Sequence, residues 1–173
     1  MELLEFDFRV YDSNFKPLSL PTGTMEPPWW PRWMSFCNMA VRQRGGSPDA
    51  ANMLYSWTLQ HPDFEDVAYQ DYFIPTAPFM SPEEPNYDFL RAISETFRED
   101  IQVSECQGSS LKRIPSSSPY TQTFLRSGRP LLLMSGLPES LVDELHHHTH
   151  LELKEARTVS YIRVERVYAR KRP

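Results

Sequence analysis

Four histidines stand close together in the second half of the sequence, at His146, His147, His148 and His150. His146 and His150 are four residues apart, so on a helix both imidazoles would lie on one face and could bind a metal ion. No HExxH pattern accompanies them, and no carboxylate or cysteine has a spacing that would complete a zinc site. We therefore interpret the histidines as a solvated patch and predict no metal site, with a weak metal site or a pH-sensitive edge as the alternative.

Aromatic side chains form a second group of candidate functional residues. Four of them lie within eight residues of one another: Trp29, Trp30, Trp33 and Phe36. Such a group can form the mouth of an apolar substrate pocket or pack in a core, and two adjacent tryptophans cannot both face inward from one helix. Tyr72 and Phe79 are aromatic residues near the end of a predicted strand. We predict these six as substrate-binding residues, with core packing as the alternative.

The sequence does not indicate a nucleophilic site. Cys37 lies on the apolar side of a predicted helix, and neither Cys37 nor Cys106 has a histidine nearby in the sequence. Two cysteines at this spacing predict neither a disulfide framework nor a pair of zinc ligands. We interpret both as buried or unreactive thiols, and the catalytic residues stay unassigned.

The charge of the chain restricts its partners. A formal net charge of -5 argues against binding to nucleic acid or to an anionic membrane, because both require a cationic surface. The basic residues between 163 and 172 are interrupted by Glu165, a pattern typical of a charged edge strand. The sequence contains no apolar run of membrane-spanning length, and acidic residues replace the bases of a signal peptide. We predict an intracellular protein, cytoplasmic or nuclear, with no nucleic acid or membrane partner.

Hydrophobic periodicity predicts the elements that position these residues. Alternating apolar and polar residues predict strands over 2–11, 67–74 and 158–169. Apolar residues at spacings of three and four predict helices over 30–43, 48–59, 85–101 and 137–155. The segment 120–134 predicts one helix interrupted by Gly128 and Pro130, or two short helices.

Sixteen prolines against six glycines predict long, stiff connections between these elements. The proline-rich run over 17–31 should form an extended, irregular arm. Residues 102–119, rich in serine and proline, predict a mobile loop. A length of 173 residues suits a single domain over 1–173, of the α/β class, with a mixed sheet covered by helices.

Several short segments occur in an order that matches one protein family. They are the opening residues 1–8, Phe64-Glu65-Asp66-Val67, Ile74-Pro75, the helix over 137–153 and the closing residues 160–173. Together they resemble class I S-adenosylmethionine-dependent methyltransferases of the fungal type, which include methyltransferase-like regulators of secondary metabolism. The match extends over nearly the whole chain, although Asp63 stands where that family usually has glycine.

The resemblance implies a partial, Rossmann-like class I methyltransferase fold that corresponds to the C-terminal half of the family. It implies a three-stranded sheet made of the family's strands 5, 7 and 6. The family binds S-adenosylmethionine with a glycine-rich turn, and this sequence contains no Gly-x-Gly-x-Gly. The family's cofactor is S-adenosylmethionine, and we therefore expect no cofactor to bind this chain alone. We also expect an uncovered sheet edge.

Three functions are compatible with the sequence. The first is a truncated, methyltransferase-like protein of fungal secondary metabolism with a small apolar substrate, a transferase by resemblance and inactive as an isolated chain. The second is a subunit that docks a protein partner, or a second copy of itself, through the exposed sheet edge. The third is a cofactor-free isomerase or cyclase that uses the family's substrate pocket.

Overall fold

A computed structural model describes residues 1–76, 88, 91–92, 124–155 and 159–172. The described elements are β1 (Glu2–Tyr11), β2 (Pro17–Leu18), α1 (Trp29–Gln43), α2 (Ala50–Gln60), β3 (Phe64–Pro75), α3 (Phe124–Met134), α4 (Glu139–Glu155) and β4 (Tyr161–Lys171). The helix predicted over 85–101 lies almost wholly outside the described residues, and the loop predicted over 102–119 lies entirely outside them. None of the described helices combines the length and the apolar character that crossing a membrane requires.

The long strands form one sheet around the last strand of the chain. β4 lies between β1 and β3 and pairs antiparallel with both, and β2 extends the sheet beyond β1. In this register Val164 lies opposite Phe6 of β1 and Tyr72 of β3. The two later long strands, β3 and β4, are therefore direct antiparallel neighbours.

The α/β class is confirmed, but the sheet differs from the three-stranded mixed sheet that the sequence predicted. The described sheet has four strands, all paired antiparallel. The additional strand exists because the Asp12 carboxylate accepts hydrogen bonds from the backbone N–H groups of Asn14 and Lys16, at 2.8 and 2.9 Å. This turn returns Pro17–Leu18 along the end of β1. β1 and β3 run in the same direction, but β4 separates them, so no neighbouring strands are parallel.

The two faces of the sheet pack against different helices. Successive residues of a strand point to opposite faces, so Ile162 and Arg163 of β4 enter different surroundings. One face, here called the apolar face, packs against α1, α3 and α4. Its buried core consists of Val10, Trp30, Trp33, Met34, Phe36, Cys37, Ala40, Ile74, Leu125, Leu132, Val142, Leu145, Leu153 and Ile162. The other, here called the polar face, lies under α2 and carries Asp7, Tyr69, Asp71, Arg163 and Glu165.

α1 begins with the help of a distant acidic residue. Pro28 precedes the helix and makes no side-chain cap. Instead, the Glu152 carboxylate of α4 accepts hydrogen bonds from the backbone N–H groups of Trp29 and Trp30, at 2.7 and 3.1 Å. A carboxylate at a helix N-terminus pairs N–H groups that have no partner within the helix and interacts favourably with the helix dipole. Glu152 therefore fixes α1 to α4 at the end of the apolar face.

The segment predicted as one or two helices forms the single helix α3, which contains both Gly128 and Pro130. A Cβ atom at Gly128 would lie 2.9 Å from the ring of Trp33. Glycine is therefore required here because α3 approaches α1 too closely for a side chain.

Candidate functional site

A cleft of about 630 Å³ lies between one side of α1, the end of β1 and the first part of the proline-rich arm. Its lining residues are Phe8, Arg9, Val10, Pro17, Leu18, Ser19, Leu20, Met34, Ser35, Asn38, Met39, Arg42 and Gln43. Clefts that bind small molecules typically measure roughly 300–1,000 Å³ and have mainly apolar linings with a few polar groups. Both properties are present here.

One wall of the cleft is a single side of α1. The residues from Met34 to Gln43 recur at helical spacing and extend over roughly 13 Å at 1.5 Å per residue. Ser35 and Asn38 join this wall to the opposite one. The Ser35 hydroxyl accepts a hydrogen bond from the backbone N–H of Leu20 at 3.2 Å, and Asn38 Nδ2 donates to the Phe8 carbonyl oxygen at 3.3 Å.

Arg32 holds the proline-rich arm that forms the second wall. Its side chain is buried, with 1% of the residue exposed. Its guanidinium donates hydrogen bonds to the carbonyl oxygens of Pro21, Thr24 and Glu26, at 2.6, 2.6 and 2.5 Å. A rigid guanidinium with several donors can pair backbone carbonyls that no strand or helix pairs. Arg32 therefore gives an irregular segment a fixed shape directly after the residues Pro17, Leu18, Ser19 and Leu20 that line the cleft.

Two arginines stand at the rim of the cleft. The Asp49 carboxylate accepts hydrogen bonds from Arg9 at 2.5 Å and from Arg42 at 2.6 Å. Arg42, and then Arg9, hold the pKa of Asp49 below its usual value of 3.8, so this carboxylate is ionised at neutral pH. Two guanidinium groups and one carboxylate leave the rim with an excess of positive charge.

The lining of the cleft determines which chemistry it can perform. None of its lining residues is an acid, a histidine or a cysteine, so the described lining supplies neither a carboxyl nor an imidazole group as general acid or base. Its apolar surface and its guanidinium groups are suited to binding. We therefore treat the cleft as a candidate ligand-binding site.

The aromatic residues predicted to bind substrate do not line this cleft. Trp30, Trp33 and Phe36 are almost completely buried in the core of the apolar face. Trp29 is partly buried and stacks on His148, with 4.4 Å between ring centroids. Tyr72 is partly buried on β3, and Phe79 lies outside the described residues. Core packing therefore accounts for the three buried rings, and a substrate contact by any of the six stays a prediction.

Sequence reasoning missed the residues that do line the cleft. Ser35, Asn38, Met39 and Arg42 recur at spacings of three and four, which marks a second side of α1 beside its aromatic stripe. That spacing was the available signal. This spacing alone does not identify a cleft, because it does not show that the arm over 17–20 folds back across this side of the helix.

The histidines differ from the predicted solvated patch. His147 is exposed, but His150 is buried and His146 and His148 are partly buried. The ring of His146 meets the ring of Trp33, with 5.7 Å between centroids, and burial lowers the pKa of His146 below 6.5. The prediction was wrong because this side of α4 packs against α1. Within the described ranges, no three histidine, cysteine or acidic side chains lie together in a way that could hold a metal ion.

A network of charged and phenolic groups occupies the polar face. Arg163 donates to Asp71 at 3.1 Å and to the hydroxyl of Tyr69 at 2.6 Å. It also lies 3.3 Å from Glu165 and 3.8 Å from Asp7. Asp7 also accepts a hydrogen bond from the hydroxyl of Tyr11. Burial raises the pKa of both Asp7 and Glu165, because each is at most 1% exposed.

This network corrects the interpretation of residues 163–172 as a charged edge strand. β4 pairs on both sides, and on its polar face Glu165 is buried and Arg163 is partly buried, with Arg163 in contact with Asn52 of α2. Only the later charges, such as Arg170, lie on the surface. The arginine is tolerated inside because several acidic groups surround it.

Cys37 behaves as the sequence predicted. It is 1% exposed, and burial raises the pKa of its thiol to about 12. A thiol that stays protonated at neutral pH is a poor nucleophile. Cys106 lies outside the described residues.

Comparison with known proteins identifies a relative that regulates secondary metabolism. Over 172 residues the chain is 40% identical to the secondary metabolism regulator laeA of Coprinopsis cinerea. The alignment covers 99% of this chain and 36% of the relative, so the chain spans about a third of the relative's length. No family model and no solved structure matches the chain. The resemblance to methyltransferase-like regulators of fungal secondary metabolism is thus confirmed for the matched part of that protein.

Proposed function

We propose that these residues form the substrate side of a methyltransferase-like regulator of fungal secondary metabolism. The observation that carries the proposal is the match of 99% of the chain to a protein described as a regulator of secondary metabolism. The sheet supports it, because the order β1-β4-β3 is the order that the family's strands 5, 7 and 6 were expected to take. In this function the chain positions a small apolar substrate. The elements that bind S-adenosylmethionine are not among these residues.

The glycines of the described residues support the second half of this proposal. Gly45 and Gly136 have positive φ angles, and each donates its backbone N–H to a carbonyl at the end of a helix. These are helix C-caps rather than a turn that presents several N–H groups to a cofactor. Transfer of a methyl group from S-adenosylmethionine depends largely on positioning the reacting groups. This chain's contribution is to hold the acceptor.

Two of the predicted aromatic residues remain suited to contact a substrate. Trp29 and Tyr72 keep partial exposure, whereas Trp30, Trp33 and Phe36 are enclosed by the core. We assign the first two the role of substrate contacts and the other three the role of supporting the helix that carries Trp29.

Docking of a protein partner is the second candidate function, and one observation favours it. On the side of β1 away from β4, the described β2 pairs only with Val10 and Tyr11. From Leu3 to Glu5, no described strand pairs with that side, and Leu4 is 62% exposed. An open strand edge can accept a strand from a partner or from a second copy. For a cofactor-free isomerase or cyclase, in contrast, the described cleft offers no acid or base.

Calorimetric titration tests the proposal. S-adenosylmethionine titrated into the folded, purified chain should give no binding heat. Micromolar binding by the isolated chain would contradict the assignment of the cofactor elements to other polypeptide. Light scattering over a range of concentrations separates the second candidate, because docking between copies through β1 predicts a dimer whose fraction rises with concentration.

A further inference from the structure

The floor of the cleft between α1 and β1 is apolar and adaptable. Val10 and Met34 are buried at its base, and Leu18 and Met39 are partly exposed along its sides. Methionine has an unbranched, polarizable side chain that fits irregular apolar shapes. The floor can therefore accommodate flat or irregular apolar molecules and does not require one fixed ligand shape.

The rim adds a charge preference to this shape. Arg9 and Arg42 are the charged residues of the lining, while their partner Asp49 lies outside it. Arg42 uses Nη2 for Asp49 and Nε for the Asn38 side chain, and within the described part of the chain its Nη1 group has no hydrogen-bond partner. Because the Arg42 side chain is 55% exposed, these donors can reach a ligand. A guanidinium with spare donors binds a carboxylate or sulfonate most strongly.

We propose that this cleft binds a small organic anion with an apolar ring system, seated on the partly exposed Leu18 and Met39, with its acidic group at Arg42. The volume of about 630 Å³ fits such a molecule, and the positive rim complements its charge. The inference goes beyond the proposed function and does not depend on methyl transfer or on S-adenosylmethionine.

Two fluorescent probes that differ in charge test the inference. The first is 8-anilinonaphthalene-1-sulfonate, which has an aromatic body and one sulfonate. The second is N-phenyl-1-naphthylamine, which has the same ring system and no charge. Fluorescence titration of the chain should show saturable binding of the sulfonate, tighter than that of the neutral probe and weakened by added salt.

The variant Arg42→Gln removes the charge and keeps a polar, hydrogen-bonding side chain. It should weaken binding of the sulfonate about tenfold, the lower end of the range for a hydrogen bond to a charged group, and leave binding of the neutral probe unchanged. Arg44→Gln is the matched control. Arg44 is also at the end of α1 and exposed, but it does not line the cleft, so its loss should alter neither probe.

A second variant tests the location of the site. Met39→Trp fills the cleft and should abolish binding of both probes, whereas Met53→Trp, on the exposed side of α2, should alter neither. Near-ultraviolet circular dichroism confirms that each variant is folded. The proposal is overturned if Met39→Trp retains binding, if Arg42→Gln and Arg44→Gln have equal effects, or if the probes bind only as copies of the chain associate.

Discussion

The two faces of the sheet are both buried, but by different chemistry. The apolar face is covered by three helices and contains the tryptophans of α1, whereas the polar face is covered by α2 and contains an arginine among three acidic groups. Burial of apolar surface stabilises a fold at any pH, while the contribution of buried ionisable groups changes with their protonation. One side of this sheet therefore contributes stability that does not vary with pH, and the other contributes stability that depends on protonation.

The largest effect should come from a cavity in the apolar face. Leu145 has no exposed surface, so Leu145→Ala should lower the free energy of unfolding by about 4 kcal/mol, through lost burial and the space left behind. Urea denaturation at several pH values measures this, and the loss should be the same at each pH. The control Leu59→Ala, at a residue that is 55% exposed, should have little effect. If the loss of unfolding free energy in Leu145→Ala varied strongly with pH, the two faces would not differ in their dependence on pH.

The next effect concerns the polar face. Arg163→Met should lower the free energy of unfolding by about 3 kcal/mol at pH 7, because Asp7 and Glu165 then remain buried without their cation. Unlike the loss at Leu145, this loss should shrink in acid, where both carboxyl groups are protonated. Urea denaturation at pH 4 and pH 7 measures the difference. Arg170→Met serves as the control, since Arg170 pairs on the surface with Asp66; equal losses in the two variants would contradict the role of the buried network.

Protonation of the polar face gives a smaller effect in the unmodified chain. Burial raises the pKa of Asp7 above 3.8 and that of Glu165 above 4.5, so the folded state holds these protons more tightly than the unfolded state. Their contribution to stability is therefore full below about pH 4 and is lost as the pH rises through the raised pKa values.

Asp7→Asn isolates this contribution, because asparagine cannot lose the proton. Relative to the unmodified chain, the variant should gain stability as the pH rises from 4 to 7, as measured by urea denaturation at each pH. Asp63→Asn, at an exposed position, should follow the unmodified chain. An unchanged difference between Asp7→Asn and the unmodified chain across this range would show that the Asp7 pKa is not raised.

The smallest predicted effect is at the junction of α1 and α4 on the apolar face. Glu152→Ala removes the acceptor for the first N–H groups of α1 and should lower the free energy of unfolding by about 1 kcal/mol. Thermal unfolding followed by circular dichroism measures it. Glu144→Ala, on the exposed side of the same helix, is the control, and an equal effect at both positions would mean that the cap contributes nothing specific.

Local patterns in the sequence predict much of the fold. The predicted ends of five elements agree with the structure to within three residues. These elements are α1, α2, β3, α4 and β4. The apolar stripe of α1 and the alternation in β4 are properties of neighbouring residues, so they can be recognised without knowledge of the fold. β2 was missed because a strand of two residues is too short to show a period.

The candidate cleft and the polar face depend on contacts between distant residues. The bond between Leu20 and Ser35 joins an arm to a helix, and Arg163 meets Asp7 from the other end of the chain. No local pattern encodes either contact. The central position of β4 was misjudged for the same reason, since charged residues in a strand indicate an edge unless their partners within the fold are known.

The central claim is that the chain forms the substrate side of a methyltransferase-like regulator. Its most direct test is a chimera in which the chain replaces the 172 residues it matches in the Coprinopsis cinerea relative. Calorimetric titration with S-adenosylmethionine then compares the chimera, the relative and the isolated chain. The chimera and the relative should bind S-adenosylmethionine, and the isolated chain should not. A folded chimera that does not bind, or an isolated chain that does, would contradict it.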